Sequence, residues 1–115
     1  MVEGPFQVEG RDGARLGQRI LTLSGPLGFE SVPGFLKAVR AETAPVVILD
    51  LSRVTFVDSA GVGALIQAYV SFKGASRRLG IVGASQQVLA VLEITRVKNL
   101  FAIFSSLNEA AERLA

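Results

Sequence analysis

Residues 46–65 read VVILDLSRVTFVDSAGVGAL and carry the strongest structural pattern in the chain. They open with four consecutive apolar residues, Val46 to Leu49, of which three are β-branched. Such a run is typical of a strand whose two faces are both buried. Polar residues within Asp50–Arg53 then interrupt the apolar pattern. We therefore expect a strand over Val46–Leu51 that lies inside a sheet and not at its edge.

A helix is predicted to begin shortly after this strand, at the sequence Asp58-Ser59-Ala60-Gly61. Asp58 and Ser59 are both favoured as N-cap residues, because their side-chain oxygens can accept the free amide groups of a first helical turn. The N-terminus of a helix also carries a partial positive charge of about +0.5 and attracts anions. Two interpretations of Ser59 follow. Either it caps the helix and does nothing more, or its hydroxyl is modified or contacted there.

The length of 115 residues corresponds to a single domain, which we expect to span residues 1–115. A chain of this length can bury a core without disulfides or metals, and because half of its residues are hydrophobic we do not expect it to be disordered. The sequence contains no Cys, which excludes disulfides and thiolate metal sites. It also contains no His, which excludes Ser-His and Cys-His catalysis and histidine metal ligation.

Binding to nucleic acids or membranes has little support in the sequence. The densest basic cluster, Lys73 with Arg77 and Arg78, is short and has no aromatic residue interleaved. No apolar run approaches the roughly 18 residues of a membrane span. The first ten residues have no basic region followed by an apolar core, so they do not resemble a signal peptide. We therefore expect a cytoplasmic protein that binds no nucleic acid and does not insert into membranes.

Short apolar segments alternate with helical patterns along the rest of the chain. Before residue 46 we expect a strand within 2–9, a turn at 10–13, a strand over 16–24 that ends at Gly25-Pro26, and a helix that ends before Pro45. The helical pattern there comprises Phe29, Val32, Phe35, Leu36 and Val39.

After residue 61 we expect a helix to about Gly74, whose apolar stripe comprises Val62, Leu65, Ile66, Tyr69 and Phe72. A strand over 79–83, a helix from 84–85, a strand over 100–104 and a final helix capped by Ser105 or Ser106 follow. This alternation predicts an α/β fold: a mixed sheet of about five strands, mostly parallel after an N-terminal hairpin, with four helices.

The candidate groups do not assemble into an enzyme. Ser59 is not in a G-x-S-x-G elbow, and no His exists to activate it. Gly61-Val62-Gly63 resembles the start of a dinucleotide fingerprint, but Ile66 stands where the third glycine belongs. Asp50 and Asp58 are the only acidic pair near each other in this region, and one pair does not make a metal site. We expect no catalytic residues, metal or cofactor.

The residues from Val46 to Ile66, V-V-I-L-D-L-S-x-V-x-F-V-D-S-A-G-V-G-A-L-I, resemble the signature of the STAS domain family, typified by bacterial anti-sigma-factor antagonists. The resemblance covers nearly the whole chain in element order, and it implies a STAS-like fold. In that family the serine of the D-S-x-G motif is phosphorylated by a partner anti-sigma factor, which is a GHKL-type serine kinase. The unphosphorylated antagonist binds that partner and frees the sigma factor.

The resemblance therefore implies that Ser59 is the phosphate acceptor. Its neighbours Asp58, Ala60, Gly61 and Val62 would form the partner-binding surface together with it. Small residues there would allow the backbone of a partner to come close. The expected function is that of an anti-sigma-factor antagonist, which is not an enzyme, in a transcription or stress response. The sequence leaves the oligomeric state open between a monomer and a weak dimer.

Two segments depart from the family pattern. Many antagonists carry G-E-L-D after the second strand, where this chain has Gly25-Pro26-Leu27-Gly28. The family often has D-x-x-G-L where this chain has Glu93 to Val97, so Arg96 replaces a glycine that ends a helix. The departures leave an alternative open. The chain would then be a STAS adaptor in a stress-sensing complex or in a lipid-transport ABC system, and Ser59 a contact or a relic.

Overall fold

The structure, a computed structural model, describes residues 5–115. One sheet contains five strands: β1 (Gln7–Asp12), β2 (Gln18–Leu27), β3 (Val46–Val57), β4 (Arg78–Val82) and β5 (Ala102–Phe104). The α-helices of this part of the chain are α1 (Val32–Ala41), α2 (Ser59–Gly74), α3 (Gln86–Ile94) and α4 (Leu107–Arg113). A short 3-10 helix, Lys98–Leu100, precedes β5.

The strands lie in the order β1-β2-β3-β4-β5, so β3 is the middle strand. β1 pairs with β2 in antiparallel fashion, and the pairs β2–β3, β3–β4 and β4–β5 are all parallel. The predicted α/β class, the mixed five-stranded sheet and the four helices are therefore confirmed. The interior position of Val46–Leu51 is confirmed as well, and Val47, Leu49 and Leu51 are fully buried.

The two faces of the sheet are covered unequally. Leu21, Leu49 and Ile81 face one side, where α1, α2 and α3 pack over them in the larger core. Ile20, Ile48 and Val82 alternate with them and face the other side, where α4 is the helix that covers them among residues 5–115. Ala110 of α4 and Leu114, directly after the helix, are buried there, and Leu107 of α4 packs against them. Helix α4 therefore closes a second, smaller core.

The N-terminal hairpin differs from the prediction in the positions of its first strand and its turn along the chain. Of the strand predicted within 2–9, residues 2–4 lie outside the described part of the structure, and β1 occupies Gln7–Asp12. Residues 10–12, predicted to turn, are therefore paired in β1. The chain turns instead over 13–17, and the amide of Gly13 donates a 2.8 Å hydrogen bond to the carbonyl of Gln18.

The prediction that β2 ends at Gly25-Pro26 is wrong, because the strand continues to Leu27. The register with β3 shifts between Thr22 and Ser24 and again between Gly25 and Pro26. Pro26 has no amide to donate, and such a shift is where a sheet accommodates a proline. β3 likewise continues past the expected end at Leu51, to Val57, and forms the partner of this extension.

The second half of the chain follows the prediction more closely. α2 extends to Gly74 as expected, with Val62, Leu65 and Phe72 buried and Ile66 and Tyr69 packed against the core. The last strand is shorter than the predicted 100–104, since residues 98–100 form the 3-10 helix. Within residues 5–115, no helix has the length and apolar character needed to cross a membrane.

The parallel arrangement brings four connections to one edge of the sheet. β2, β3, β4 and β5 all end there, and each is followed by a helix that begins at the same edge. Ligands of parallel α/β sheets bind outside the carboxyl ends of the strands. The connection that contains Ser59 follows β3, the middle strand, so this edge is where a functional site is expected.

The basic cluster lies at the opposite end of α2 from Ser59. The guanidinium of Arg77 stacks on the ring of Phe72 at 3.9 Å and donates to the carbonyls of Glu42 and Ala44. An aromatic ring is therefore present beside the cluster, although none is interleaved in its sequence. Both contacts are internal to the domain, so Arg77 acts as a structural residue here.

Candidate functional site

Asp58 is the N-cap of α2 and holds two segments together. Its Oδ1 accepts a 2.8 Å hydrogen bond from the amide of Gly61, in the first turn of the helix. Its Oδ2 accepts a 3.2 Å hydrogen bond from the amide of Phe29, in the loop between β2 and α1. One carboxylate therefore ties the start of α2 to the neighbouring loop.

Ser59 is the first residue of α2, and its side chain is exposed. The sequence makes both Asp58 and Ser59 suitable N-caps, and the structure assigns that role to Asp58 alone. The hydroxyl of Ser59 has no hydrogen-bond partner within residues 5–115, so the cap interpretation of Ser59 is wrong. Its hydroxyl is available to solvent at the N-terminus of a helix.

Gly61 is buried, and it lies against the end of β2. A Cβ atom built on Gly61 would overlap the carbonyl oxygen of Leu27 and come within 2.9 Å of a methyl carbon of Val57. The expected reason for a small residue at this position was close approach by a partner. Here, a close approach within the domain already requires glycine.

The other predicted contact residues differ in accessibility. Val62 is 5% exposed and belongs to the larger core. Ala60 is half-buried, and Ser59 beside it is exposed. A molecule that docks here therefore touches Ser59 and Ala60 directly, whereas Val62 and Gly61 hold the helix in position beneath them.

The loop between β2 and α1 forms the second half of the site. The hydroxyl of Ser31 accepts a 2.8 Å hydrogen bond from the amide of Gly28 and donates a 2.7 Å bond to the carbonyl of Pro26. A Cβ atom on Gly28 would lie 2.8 Å from Oδ2 of Asp58. The acid that the family pattern places at position 28 would therefore crowd the Asp58 carboxylate, and glycine leaves room for its bond to Phe29.

An open groove of 630 Å³ lies beside this loop, and it was not predicted from the sequence. We call it the Phe29 groove; it is lined by Phe6, Pro26, Phe29, Glu30, Phe56 and Asp58, among others. Phe29 is 79% exposed and Phe56 is 46% exposed. The helical spacing placed Phe29 inside α1, but the helix begins only at Val32.

The comparisons with known proteins identify the fold and the family. The sequence profile of the STAS domain family matches residues 5–110. An anti-sigma factor antagonist from Mycobacterium paratuberculosis has a similar structure, with a TM-score of 0.84 and 21% identity over 98% of each chain. A sulfate transporter family protein from Wolinella succinogenes gives a TM-score of 0.77 and 23% identity, over 87% of this chain and 86% of its own. At these identities the two likenesses show the fold alone.

A third structure is more similar in sequence. The STAS domain of an anti-sigma-factor antagonist from Rhodobacter sphaeroides is 30% identical, with a TM-score of 0.60, over 72% of this chain and 95% of its own. No protein of curated function has a significant sequence match to the chain. The family match covers nearly all of the described residues and agrees with the resemblance that the D-S-x-G motif indicated. The chain therefore belongs to the STAS domain family.

Proposed function

We propose that this protein is an anti-sigma-factor antagonist whose binding to its partner is controlled by phosphorylation of Ser59. Its unphosphorylated form binds an anti-sigma factor of the GHKL serine-kinase type, and phosphorylation of Ser59 ends that binding. The observation that carries the proposal is the exposed hydroxyl of Ser59 at the start of α2. This hydroxyl is not used to cap the helix, because Asp58 is the N-cap. The 30% identity with the Rhodobacter sphaeroides antagonist supports the same role.

The geometry supports a switch that leaves the fold intact. A phosphate on Ser59 adds about −1.5 to −2 charges at the N-terminus of a helix, where an anion is tolerated. Asp58 and Gly61 keep their hydrogen bond, since Ser59 takes no part in it. The added charge therefore acts mainly on a partner that packs closely over Ser59 and Ala60, because the phosphate loses its water there.

The expected result of replacing Ser59 follows from this geometry. Ser59→Ala should keep the fold and partner binding but abolish phosphorylation. Ser59→Asp should keep the fold and weaken binding, although only in part, because a carboxylate carries less charge than a phosphate. Ser71→Asp is the matched control, since Ser71 is an exposed serine of the same helix at its other end.

The measurement combines mass spectrometry and calorimetry. Each GHKL-type serine kinase of the source organism is incubated with the protein and ATP, and intact mass reports phosphorylation. Each is then titrated against the wild type and the three variants, with melting curves as the control for folding. Equal binding of all folded variants would show that charge at position 59 is not the switch.

A second candidate function rests on the loop after β2. Where the family pattern has G-E-L-D, this chain has Gly25-Pro26-Leu27-Gly28 and an apolar groove beside it. That departure favours a STAS adaptor in a stress-sensing complex or in a lipid-transport ABC system. In that case no kinase would add mass at Ser59, and a pull-down would recover the other subunits of such a complex. In neither candidate is the protein an enzyme.

A further inference from the structure

The two most accessible aromatic side chains of the described residues share one groove next to Ser59. Phe29 and Phe56 both line the Phe29 groove, together with Phe6 and Pro26. The other exposed large apolar side chains lie apart from it, on the β1–β2 turn, α2, α3 and the 3-10 helix. Covering a concave surface with two exposed phenylalanines is favourable, because it removes apolar area from water.

The charged residues among the described lining residues of the groove are all acidic. Glu30 and Asp58 are the charged residues that line it, and no Lys or Arg occurs among its described lining residues. Both carboxylate oxygens of Asp58 already accept backbone amides. Glu30 is exposed and forms no ion pair within residues 5–115. One carboxylate at the rim of an apolar groove is therefore unpaired.

We propose that the Phe29 groove receives a segment of the anti-sigma factor that carries one large apolar side chain next to a Lys or Arg. The apolar side chain packs between Phe29 and Phe56, and the cation pairs with Glu30. The inference rests on the proposed function and names the chemistry of its partner. The groove is continuous with the surface around Ser59 and Ala60, because Asp58 both lines the groove and precedes Ser59.

The groove also accounts for how the switch would operate in this chain. Gly28 removes the acid that the family pattern places beside Asp58, so repulsion between that acid and a phosphate on Ser59 is absent. An apolar segment seated on Phe29 instead excludes water from the neighbouring surface. A phosphate there loses its hydration while the cation of the segment is already paired with Glu30, and this cost opposes docking.

The test uses Phe29→Ala and Glu30→Lys in the full chain. The anti-sigma factor that binds the wild type in calorimetry is titrated against each variant. Phe29→Ala should weaken binding about tenfold or more, as truncation of a central aromatic anchor does. Glu30→Lys should weaken it by a smaller factor that diminishes as salt increases, because the pair is exposed.

Matched controls separate the groove from general surface effects. Ile94 is 80% exposed on α3, and Ile94→Ala should change the affinity less than twofold. Glu93→Lys reverses a charge on the same helix and should likewise change the affinity less than twofold. Phe29 precedes α1 and is exposed, so its replacement should not unfold the domain, and melting curves check this.

The outcomes distinguish this inference from the function on which it rests. If no anti-sigma factor binds the wild type, both are overturned. If the wild type binds and Phe29→Ala binds equally well, the antagonist function stands and the groove is not the docking site. If sedimentation shows that Phe29→Ala dissociates a dimer of this chain, the occupant is a second copy and the inference is overturned. Loss of affinity with Phe29→Ala but not with Ile94→Ala supports it.

Discussion

At the scale of single residues, the glycines of α2 illustrate how similar sequence positions have different physical roles. Gly61 and Gly63 stand two positions apart in the same helix. Gly61 is buried, and a Cβ atom there would overlap the carbonyl oxygen of Leu27 at the end of β2. Gly63 is exposed, and a Cβ atom there would meet no atom within 4 Å. The first glycine is therefore required by packing, and the second only weakens the helix.

Gly61→Ala should destabilise the domain, because the new methyl group forces α2 away from β2. We expect a loss of at least about 1–3 kcal/mol, the usual cost of overpacking. Gly63→Ala should instead stabilise the domain by about 0.5–1 kcal/mol, since alanine is the better helix former. Urea unfolding of both variants gives the two free energies. Equal shifts, or a stable Gly61→Ala, would contradict the contact with Leu27.

At the scale of elements, the end of α3 shows a strained position. The amide of Val97 donates to the carbonyl of Leu92 at 2.9 Å, and the amide of Arg96 donates to that of Glu93 at 3.0 Å. These two bonds form the helix end that favours glycine at the position of Arg96. Arg96 adopts a φ of 62°, in the left-handed region. The chain therefore keeps the helix end of the family pattern although it lacks the glycine.

Arg96→Gly should stabilise the protein. The left-handed conformation costs a residue other than glycine about 1–2 kcal/mol, and the greater freedom of glycine in the unfolded chain offsets about 0.4–1 kcal/mol. We expect a net gain of about 0.5–1 kcal/mol in the free energy of unfolding. Ala90→Gly, at an exposed position in the interior of α3, is the control and should lose about 1 kcal/mol. A melting temperature that falls for both variants would contradict the strain at Arg96.

Much of the element order could be predicted from the sequence, because apolar spacing reports burial directly. The inner strand at 46–51 and the stripe of α2 are examples. The end of β2 could not be predicted, since Gly25-Pro26 normally breaks a strand. Here β2 continues because it pairs with the extension of β3. The position of Phe29 could not be predicted from apolar spacing either. Its spacing fits α1, but it lies before the helix, and its amide donates a hydrogen bond to Asp58.

The sequence pointed to the residues around Ser59 as a candidate site but did not determine the structural role of each. The D-S-x-G sequence identified Asp58, Ser59 and Gly61 as a unit. Whether Asp58 or Ser59 caps the helix depends on a hydrogen bond to Gly61, which sequence alone does not resolve. The reason for glycine at 61 lies in Leu27, a residue distant in sequence. Contacts of that kind come only from the fold.

At the scale of the whole molecule, the domain depends on two cores that share one sheet. Leu49 lies in the larger core and Leu114 in the smaller one. Both side chains are almost fully buried, at 0% and 4% exposed. α4 has the only helical residues that cover Ile48 and Val82 on their face of the sheet, within the part of the chain described. The last helix is therefore integral to the fold.

Leu49→Ala and Leu114→Ala should each cost about 2–5 kcal/mol, because each leaves a cavity in a closed core. Leu49→Ala should be the more severe, since Leu49 lies on the middle strand of the sheet and is fully buried in the larger core. Lys73→Ala, at an exposed position, should change stability by less than about 0.5 kcal/mol. Chemical denaturation compares the three variants. A Leu114→Ala variant as stable as Lys73→Ala would mean that the second core contributes nothing.

The position of Ser59 in the first turn of a capped helix has a consequence for any enzyme that modifies it. The hydroxyl is exposed, but its backbone is fixed by the bonds that Asp58 makes to Gly61 and Phe29. Such an enzyme contacts a rigid surface formed by the start of α2 and the loop between β2 and α1, which are distant in sequence. A linear peptide copied from residues around Ser59 contains the motif without that surface. An enzyme of this kind therefore recognises Ser59 only in the folded protein, and unfolding removes its substrate although the hydroxyl stays exposed.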